Sequence, residues 1–282
     1  AIPLIRGKMR SRKMENIIEE AKKFAENGVK ELVIVAQDVT AYGIDLYKKY
    51  ALPDLLKQLC KIDGIKWIRL LYCYPERMTD ELIETIKTED KVLNYIDIPI
   101  QHCNKEILRN MYRGGDEQSL RELFAKLRRE IPGVVLRTTL ITGFPGETEE
   151  QFSELAEFVN DIKFERLGCF AYSAEEDTPA AEMPDQVDEG ERQRRADIIT
   201  SEQEIRMGEY YAGMVGNTYE VVCEGFDRYS DMYFGRSMHF APEIDGMIYF
   251  TSAKDKGSLT IGDFVNVKIT DVLENNLLGE RV

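Results

Sequence analysis

Residues 134–151 read VVLRTTLITGFPGETEEQ, and this stretch indicates how the larger part of the chain folds. An apolar, β-branched run over 134–141 leads into a turn that contains two glycines and a proline. Thr148 then precedes an amphipathic stretch, and Gln151 follows three residues later, which is the pattern of a helix capping box. A buried strand that passes through a glycine turn into a capped helix is one βα unit.

The same unit recurs along the first 170 residues. Apolar or β-branched runs predict five strands, at 31–37, 67–73, 95–100, 134–141 and 166–172. The helices are predicted from amphipathic stretches at 13–26, 55–61, 80–87, 105–111, 117–130 and 149–162. Alternating strands and helices form parallel sheets, so the fold class is α/β, with a TIM-like (β/α) barrel that binds its ligand at the carboxyl ends of the strands.

The first visible element of this series is a helix, although a βα series should begin with a strand. Removal of an initiator methionine before Ala1 would account for the first residue. We prefer the hypothesis that an upstream strand is missing from this sequence. The barrel is therefore expected to be incomplete and open on one side.

The pattern changes after Tyr172. Residues 173–189 are acidic and contain two prolines, which indicates a loop, and 191–211 read as one long polar helix. Short strands with glycine turns follow at 217–223, 232–237, 247–251 and 264–272. The expected domains are a partial barrel with its linking helix at 1–208 and a small all-β, five-stranded, OB-like barrel at 209–282.

Composition excludes several classes of protein. The 282 residues carry a net charge of −14 and are 43% hydrophobic, which rules out a mainly disordered chain. No apolar run is long enough to cross a bilayer. Five widely spread cysteines fit a reducing cytoplasm better than a disulfide framework. The acidity disfavours nucleic acid as a partner and favours basic partners, although it could serve solubility alone.

Polar residues at the predicted strand ends are the candidate site. The strongest motif is the turn Gly143-Phe144-Pro145-Gly146-Glu147, which could also be an ordinary capped βα turn. The other polar residues there are Gln37, Asp38, Gln101, His102 and Arg137. A charged Arg137 within a buried strand needs an anionic partner, which could be a protein carboxylate or a ligand. His102 is more readily explained as a structural residue than as a base.

A basic cluster precedes the first predicted helix, and it comprises Arg6, Arg10, Arg12 and Lys13. Cations are unfavourable at a helix N-terminus, so the cluster mildly favours an anionic partner over a merely solvated helix start. The cysteines lie too far apart for a CxxC metal site, and no Ser–His or His/Asp/Glu spacing suggests a hydrolase.

Several stretches together resemble the methylthiotransferases of the radical S-adenosylmethionine (SAM) family. The matching stretches are Ala1-Ile2-Pro3 with Arg6-Gly7 and Ser11-Arg12, 35–38 with 41–43, 95–101 (YIDIPIQ) and 137–147 (RTTLITGFPGE). The final module resembles the TRAM domain that ends those proteins. The resemblance therefore covers essentially the whole chain.

The resemblance implies a metal-binding transferase that needs S-adenosyl-L-methionine and two 4Fe-4S clusters. One cluster is held by a CxxxCxxC loop and splits S-adenosylmethionine to a 5′-deoxyadenosyl radical, which takes a hydrogen from an unactivated carbon. The other cluster, on a separate N-terminal domain, carries the sulfur. This sequence lacks the CxxxCxxC loop, whose last cysteine would immediately precede Ala1, so the chain as written should hold no cluster and perform no turnover.

The resemblance also implies a set of cofactor-binding residues without assigning their individual roles. The residues expected near the nucleoside and methionyl groups are Gln37, Asp38, Gln101, Arg137, Gly143, Phe144, Pro145, Gly146, Glu147 and Tyr172. Tyr172 would contact the adenine or the ribose. The catalytic residues themselves are not identified.

Three functions are compatible with the sequence. The first is methylthiolation of the β-carbon of an aspartate in ribosomal protein twelve of the small subunit, and the second is modification of adenosine in tRNA. The third leaves out radical chemistry and is a barrel enzyme or an RNA-binding protein. The all-β module contains 12 acidic and 6 basic residues from 209 to 282, a net charge of −6, which favours a basic ribosomal protein. Its expected partner-binding residues are Glu224, Asp227 and Asp231, around the aromatic segment 226–234.

Overall fold

The computed structural model describes residues 7–253 and 256–282. The chain forms two compact units. One comprises Glu31–Gln203 with the residues before Asn27, and the other comprises Asn27–Lys30 with Glu204–Val282. No helix within the described ranges is long and apolar enough to cross a membrane.

The first unit is built on a five-stranded parallel sheet in the order β1-β2-β3-β4-β5. Its strands are β1 (Glu31–Ile34), β2 (Trp67–Leu70), β3 (Val92–Asp97), β4 (Val135–Thr142) and β5 (Arg166–Ala171). Its helices are α1 (Met14–Glu26), α2 (Ile44–Tyr47), α3 (Leu52–Leu59), α4 (Asp80–Thr88), α5 (Lys105–Asn110), α6 (Glu117–Glu130) and α7 (Glu149–Ile162). The sheet does not close on itself, which confirms the prediction of an incomplete parallel barrel.

Local sequence accounts for most of these boundaries. Thr148 and Gln151 form the expected capping box at the start of α7, and Asp116 with Ser119 forms another at the start of α6. The helices pack apolar faces on the sheet, whose central strands are buried on both sides. The long polar helix that follows, α8 (Glu189–Met214), begins two residues earlier and ends three residues later than predicted.

Charged residues lie within the buried sheet in opposite pairs. The guanidinium of Arg137 on β4 donates to the carboxylate of Asp97 on β3 at 2.8 Å, and Asp97 is fully buried. Arg69 on β2 is also fully buried and donates to Glu31 on β1 at 2.7 Å. Arg137 and Arg69 thus each have a counter-charge on the neighbouring strand, which offsets the cost of burial.

The second unit contains a closed five-stranded barrel in the order β10-β8-β7-β6-β9, as predicted from the sequence. Its strands are β6 (Thr218–Asp227), β7 (Met232–Arg236), β8 (Ile248–Thr251), β9 (Phe264–Leu273) and β10 (Asn276–Arg281). Individual sequence patterns located four of these strands and missed β10. The reason is that β10 is short and includes Gly279 and charged residues, with only Leu277 and Gly279 buried.

Candidate functional site

The carboxyl ends of the five parallel strands bring most of the predicted residues to one edge of the sheet. Gln37 and Asp38 follow β1, Gln101 follows β3 and Tyr172 directly follows β5. The turn 143–147 follows β4 between them. Arg137 lies further back, inside β4, and pairs with Asp97.

Gln101 is held in an unusual backbone conformation at this edge. Its φ is +69°, a region that side chains other than glycine rarely adopt. Its N–H donates to the carbonyl of Thr139 and its carbonyl accepts from the N–H of Ile141, so two bonds to β4 maintain this conformation. Its side-chain Oε1 is buried and has no hydrogen-bond partner among the described residues. A strained residue with an unsatisfied acceptor at a strand end is typical of a ligand-binding position.

Glu147 links the turn after β4 to the loop after β3 and to α8. One carboxylate oxygen accepts from the N–H of Gly143 at 3.0 Å and faces Nε2 of His102 at 3.4 Å. The other oxygen accepts from Arg195 at 2.7 Å. Burial by itself would raise the pKa of Glu147, but His102, Arg195 and the Gly143 amide together lower it below the usual value. The carboxylate of Glu147 is therefore ionised and engaged by protein donors.

His102 is a structural residue in this arrangement. It is fully buried, and its Nδ1 accepts from the N–H of Asn104 at 2.9 Å. The proton of a neutral imidazole must then sit on Nε2, which faces Glu147. The histidine thereby links the loop after β3 to the turn after β4.

Tyr172 presents the second unsatisfied oxygen at this edge. Its hydroxyl is buried without a hydrogen-bond partner among the described residues, and burial raises its pKa. Its ring packs edge-on against Phe144 at 5.3 Å between centroids, and the Arg192 guanidinium lies 5.4 Å from the ring centroid. The ring is held in place while the hydrogen-bonding capacity of the hydroxyl is unused within the described residues.

The remaining residues of the turn after β4 have different surroundings. Gly143 has φ +70°, and a Cβ there would lie 2.2 Å from Cγ of Arg192. Gly146 has φ +85° with open space around a Cβ, and its N–H donates to the carbonyl of Asp185. Phe144 and Pro145 are buried. Gly143 is thus needed for a close approach of two backbones, whereas Gly146 is needed only for its turn conformation.

Arg192 and Arg195 on α8 were not predicted as part of the site. Arg192 donates to the carbonyls of Val187 and Tyr172, and Arg195 contacts Glu147, Glu149 and Glu191. The sequence pattern of α8 is polar, which indicated a solvated linking helix. The sequence feature that could have indicated their role is the run of three arginines within 192–195, which could pair with the acidic residues at 147–150.

The two predicted residues after β1 differ in exposure. Gln37 is exposed. The carboxylate of Asp38 accepts from Arg77, from the hydroxyl of Thr40 and from the N–H of Ala41. Asp38 thereby caps the short 3₁₀ turn Val39–Ala41 and is held in an ion pair.

The three predicted partner-binding acids lie around the hairpin between β6 and β7. Glu224 accepts two bonds from the buried Arg236, so its charge is neutralised. Asp227 accepts from the N–H of Tyr229 and from the hydroxyl of Ser230, which closes the hairpin turn and lowers the pKa of Asp227. Asp231 is exposed with φ +57°. Tyr229 at the tip is fully exposed, and Phe226 beside it is half-exposed.

The other predicted features are distributed as follows. In the basic cluster Arg12 forms an exposed ion pair with Glu20, Arg10 is exposed, and Arg6 lies outside the described residues. All five cysteines are free thiols whose pKa burial raises. No group of three or more His, Cys, Asp or Glu that could hold a metal occurs within 7–253 and 256–282.

Comparison with known families agrees with this architecture. The radical SAM superfamily model matches residues 2–159, and the TRAM domain model matches residues 215–282. The first match covers more than half of the chain, so the chain belongs to the radical SAM superfamily, and it ends in a TRAM domain. This match favours the radical SAM hypotheses over the non-radical barrel that the sequence left open.

Similar curated proteins narrow the resemblance. The chain is 50% identical over 279 residues to the "ribosomal protein uS12 methylthiotransferase RimO" of Clostridium botulinum, which covers 99% of this chain and 62% of that protein. It is also 50% identical over 279 residues to the RimO of Caldanaerobacter subterraneus, of which it covers 63%. The chain thus spans about three-fifths of the length of these relatives. Among solved structures, coproporphyrinogen III oxidase (HemN) from Escherichia coli superposes with a TM-score of 0.49 at 16% identity, over 72% of this chain and 48% of that one.

The residues at the sheet edge fit the cofactor that the superfamily implies. S-adenosylmethionine carries an amine, two ribose hydroxyls and an adenine, which are hydrogen-bond donors for the buried Oε1 of Gln101 and partners for the hydroxyl of Tyr172. The charged side chains that were predicted for this site, Asp38, Arg137 and Glu147, are each paired with an opposite charge within the protein. Recognition by this chain would therefore rest on neutral polar groups and on backbone atoms of the strand ends.

Proposed function

We propose that this chain is the barrel and TRAM portion of a methylthiotransferase that modifies ribosomal protein uS12. The enzyme would replace a hydrogen on the β-carbon of an aspartate with a methylthio group. The observation that carries the proposal is the 50% identity, over 99% of this chain, to relatives of that name. The cytoplasm is the expected location, because the five free thiols suit a reducing compartment.

S-adenosylmethionine, together with the iron–sulfur clusters expected of the family, would supply the radical that removes hydrogen from the unactivated carbon. The residues of this chain would bind and orient that cofactor. Gln101 would accept a hydrogen bond through Oε1, and Tyr172 would donate or accept one through its hydroxyl. Glu147 would act indirectly. Its bonds to Gly143 and Arg195 hold the turn 143–147, which lies between Gln101 and Tyr172 at the edge of the sheet.

The predicted cofactor-binding residues then divide by role. Gln37 and Gly146 are exposed, and Gln101 and Tyr172 each have a buried oxygen without a hydrogen-bond partner among the described residues, so we propose these four as direct contacts. Asp38, Arg137, Gly143, Phe144, Pro145 and Glu147 are engaged or packed within the protein, and we propose that they support the contacts from behind.

The TRAM unit is the proposed docking surface for the ribosomal protein, and we keep its boundary at 208/209. Its net charge of −6 suits a basic partner, and long-range attraction would accelerate association in a salt-dependent way. Asp231 would contribute an exposed charge, Tyr229 and Phe226 an aromatic centre, and Asp227 the turn that presents them. Glu224 would contribute little charge because Arg236 neutralises it.

The aromatic tip is also the specific feature that favours tRNA as an alternative substrate. Exposed aromatic side chains can stack on unpaired bases, and Arg228 lies in the same turn. The scarcity of basic residues in the unit opposes this alternative, because RNA binding needs a basic face.

The test uses the full-length enzyme with its clusters reconstituted under anaerobic conditions, with uS12 and tRNA as competing substrates. The expected result is S-adenosylmethionine-dependent gain of a methylthio group on one aspartate of uS12, detected by mass spectrometry. Modification of tRNA alone would replace the proposed substrate with the alternative. Absence of both products, with S-adenosylmethionine cleavage intact, would contradict both assignments.

The docking surface has its own test, by binding of the full-length enzyme to uS12 over a salt series. Tyr229→Ser and Asp231→Lys should each weaken binding, and the effect of Asp231→Lys should diminish at high salt. Tyr112→Ser serves as the matched control, because Tyr112 is also highly exposed but belongs to the first unit. Equal weakening by the control variant would contradict the assignment to the hairpin.

A further inference from the structure

The segment that precedes α1, residues 11–13, and the first residue of α1 are hydrogen-bonded to the loop and short helix that follow β1, residues 42–47. The hydroxyl of Tyr42 donates to the carbonyl of Arg12 at 2.9 Å. The N–H of Ser11 donates to Asp45, and the N–H of Gly43 donates to the hydroxyl of Ser11, both at 2.9 Å. These bonds join residues 30 to 34 positions apart. They were not anticipated from the sequence.

A fourth bond sets where α1 begins. The N–H of Met14, the first residue of α1, donates to the hydroxyl of Tyr47 at 2.9 Å. Helix N-termini are usually capped by a side chain of the preceding residues. Here the preceding residues Arg12 and Lys13 are basic, which is unfavourable at that end of a helix. The start of α1 is therefore determined by a distant tyrosine as well as by its own sequence.

The loop that supplies these groups is itself rigid. Gly43 has φ +87°, and a Cβ there would lie 2.5 Å from Cβ of Ala51. The N–H of Ala51 donates to the carbonyl of Tyr42 at 2.8 Å, which closes the loop. Asp38 caps the 3₁₀ turn directly before Tyr42. A loop closed at both ends provides a fixed platform for the segment.

This contact lies at the edge where the ligand is expected. The segment before α1 is bonded to Tyr42 and Gly43, which follow β1, so it lies at the carboxyl end of that strand. Ser11 and Arg12 line one groove of about 360 Å³ together with Asp38 and Tyr42. The segment before α1 is thus a wall beside the predicted cofactor residues that follow β1.

We propose that Tyr42, Asp45 and Tyr47 are positioning residues that hold the segment before α1 in register with the cofactor site. Their side chains hydrogen-bond to the segment and to Met14. Their effect on ligand binding would pass through the backbone of Ser11, Arg12 and Met14. This inference rests on the proposed function for its consequence, although the contacts themselves do not.

The first measurement is site-resolved amide hydrogen exchange on the chain, because three of the four bonds are donated by a backbone amide, that of Ser11, Met14 or Gly43. Tyr47→Phe should accelerate exchange at Met14, and Asp45→Ala should accelerate it at Ser11, each by about tenfold or more. Asp45→Asn retains an acceptor oxygen and should restore the protection of Ser11. Tyr50→Phe, a nearby exposed tyrosine, is the control and should change neither amide. Unchanged exchange in the first two variants would overturn the proposal.

The second measurement is S-adenosylmethionine binding to the reconstituted full-length enzyme by calorimetry. The double variant Tyr42→Phe/Tyr47→Phe should weaken binding by about tenfold, since it removes two of the hydrogen bonds that hold the segment. The melting temperature is measured alongside, and Asp45→Asn should bind as the parent does. If exchange at Ser11 and Met14 accelerates but the affinity for S-adenosylmethionine does not change, the positioning role is rejected. A parent enzyme that binds no S-adenosylmethionine would instead reject the proposed function.

Discussion

The turn after β4 and the hairpin turn between β6 and β7 each place an acidic residue at a strand end, yet the two carboxylates do different work. Glu147 is buried and meets Arg195, 48 positions away, and His102, 45 positions away. Asp227 is partly exposed, and within the described residues its carboxylate accepts from Tyr229 and Ser230 of its own turn. The comparison shows that burial converts an acidic residue into a structural junction, whereas exposure leaves a turn whose neighbours can meet a partner.

The largest expected effect comes from breaking the buried junction. Glu147→Ala would remove the buried carboxylate that accepts from both Arg195 and the N–H of Gly143. Although Arg195 keeps Glu149 and Glu191, the loss should lower the free energy of unfolding by about 3–5 kcal/mol. Urea denaturation measures this loss. Glu150→Ala, an exposed position on the same α7 turn, should give no resolvable change. A loss at Glu147 as small as at Glu150 would remove the distinction between the two turns.

The next effect separates two glycines of the same turn. Gly143→Ala should cost about 3 kcal/mol, because its Cβ would overlap Arg192 and its φ is positive. Gly146→Ala should cost about 1 kcal/mol, because only its positive φ opposes a side chain. Chemical denaturation of the two variants tests the order. Equal losses of unfolding free energy in the two variants would indicate that Arg192 on α8 can move away from the turn with little energetic penalty.

Acid should weaken the buried junction in a defined direction. The pKa of Glu147 is lowered in the folded protein, so its stabilising contribution is complete above the ordinary value of 4.5. The contribution is lost as pH falls from there through the lower folded value. The stability difference between the parent and Glu147→Gln should therefore shrink on acidification below about pH 4.5. A difference that stays constant down to pH 2 would contradict the ionised assignment.

The smallest effect is expected at the exposed turn. Asp227→Asn keeps an acceptor for the N–H of Tyr229 and removes the charge, whereas Asp227→Ala removes both. We expect a lower melting temperature only for the alanine variant, and weaker uS12 binding for both, more so for alanine. If asparagine and alanine weaken binding equally, charge alone matters and the turn does not.

Most of the fold could be predicted because it rests on local periodicity. The runs at 67–73 and 134–141 contain the observed β2 and most of β4, and the capping pair Thr148 and Gln151 begins α7 as expected. The strand β10 could not be recognised alone, because its burial comes from pairing with β8 and β9 and its own pattern is weak. Strand existence therefore followed from the sequence wherever the strand carried its own apolar run.

The site was predictable in location and much less so in detail. Residues at strand ends of a parallel sheet must meet at one edge, so grouping Gln37, Gln101 and Tyr172 followed from topology. The roles of Asp38 and Arg137 depended on which opposite charges the fold brought near, and these were Arg77 and Asp97. Those partners lie 39 and 40 positions away, where no local pattern reports them.

By itself the sequence determined the class of fold, the closed second barrel and the family resemblance, because these depend on residue type, spacing and motif. Only the tertiary structure decided that Glu147 is neutralised by α8, that Gln101 and Tyr172 keep unsatisfied oxygens, and that Tyr47 caps α1. The physical reason is that a side chain's charge state and hydrogen bonds are set by the groups within a few ångströms. Chain folding brings those groups together from distant positions.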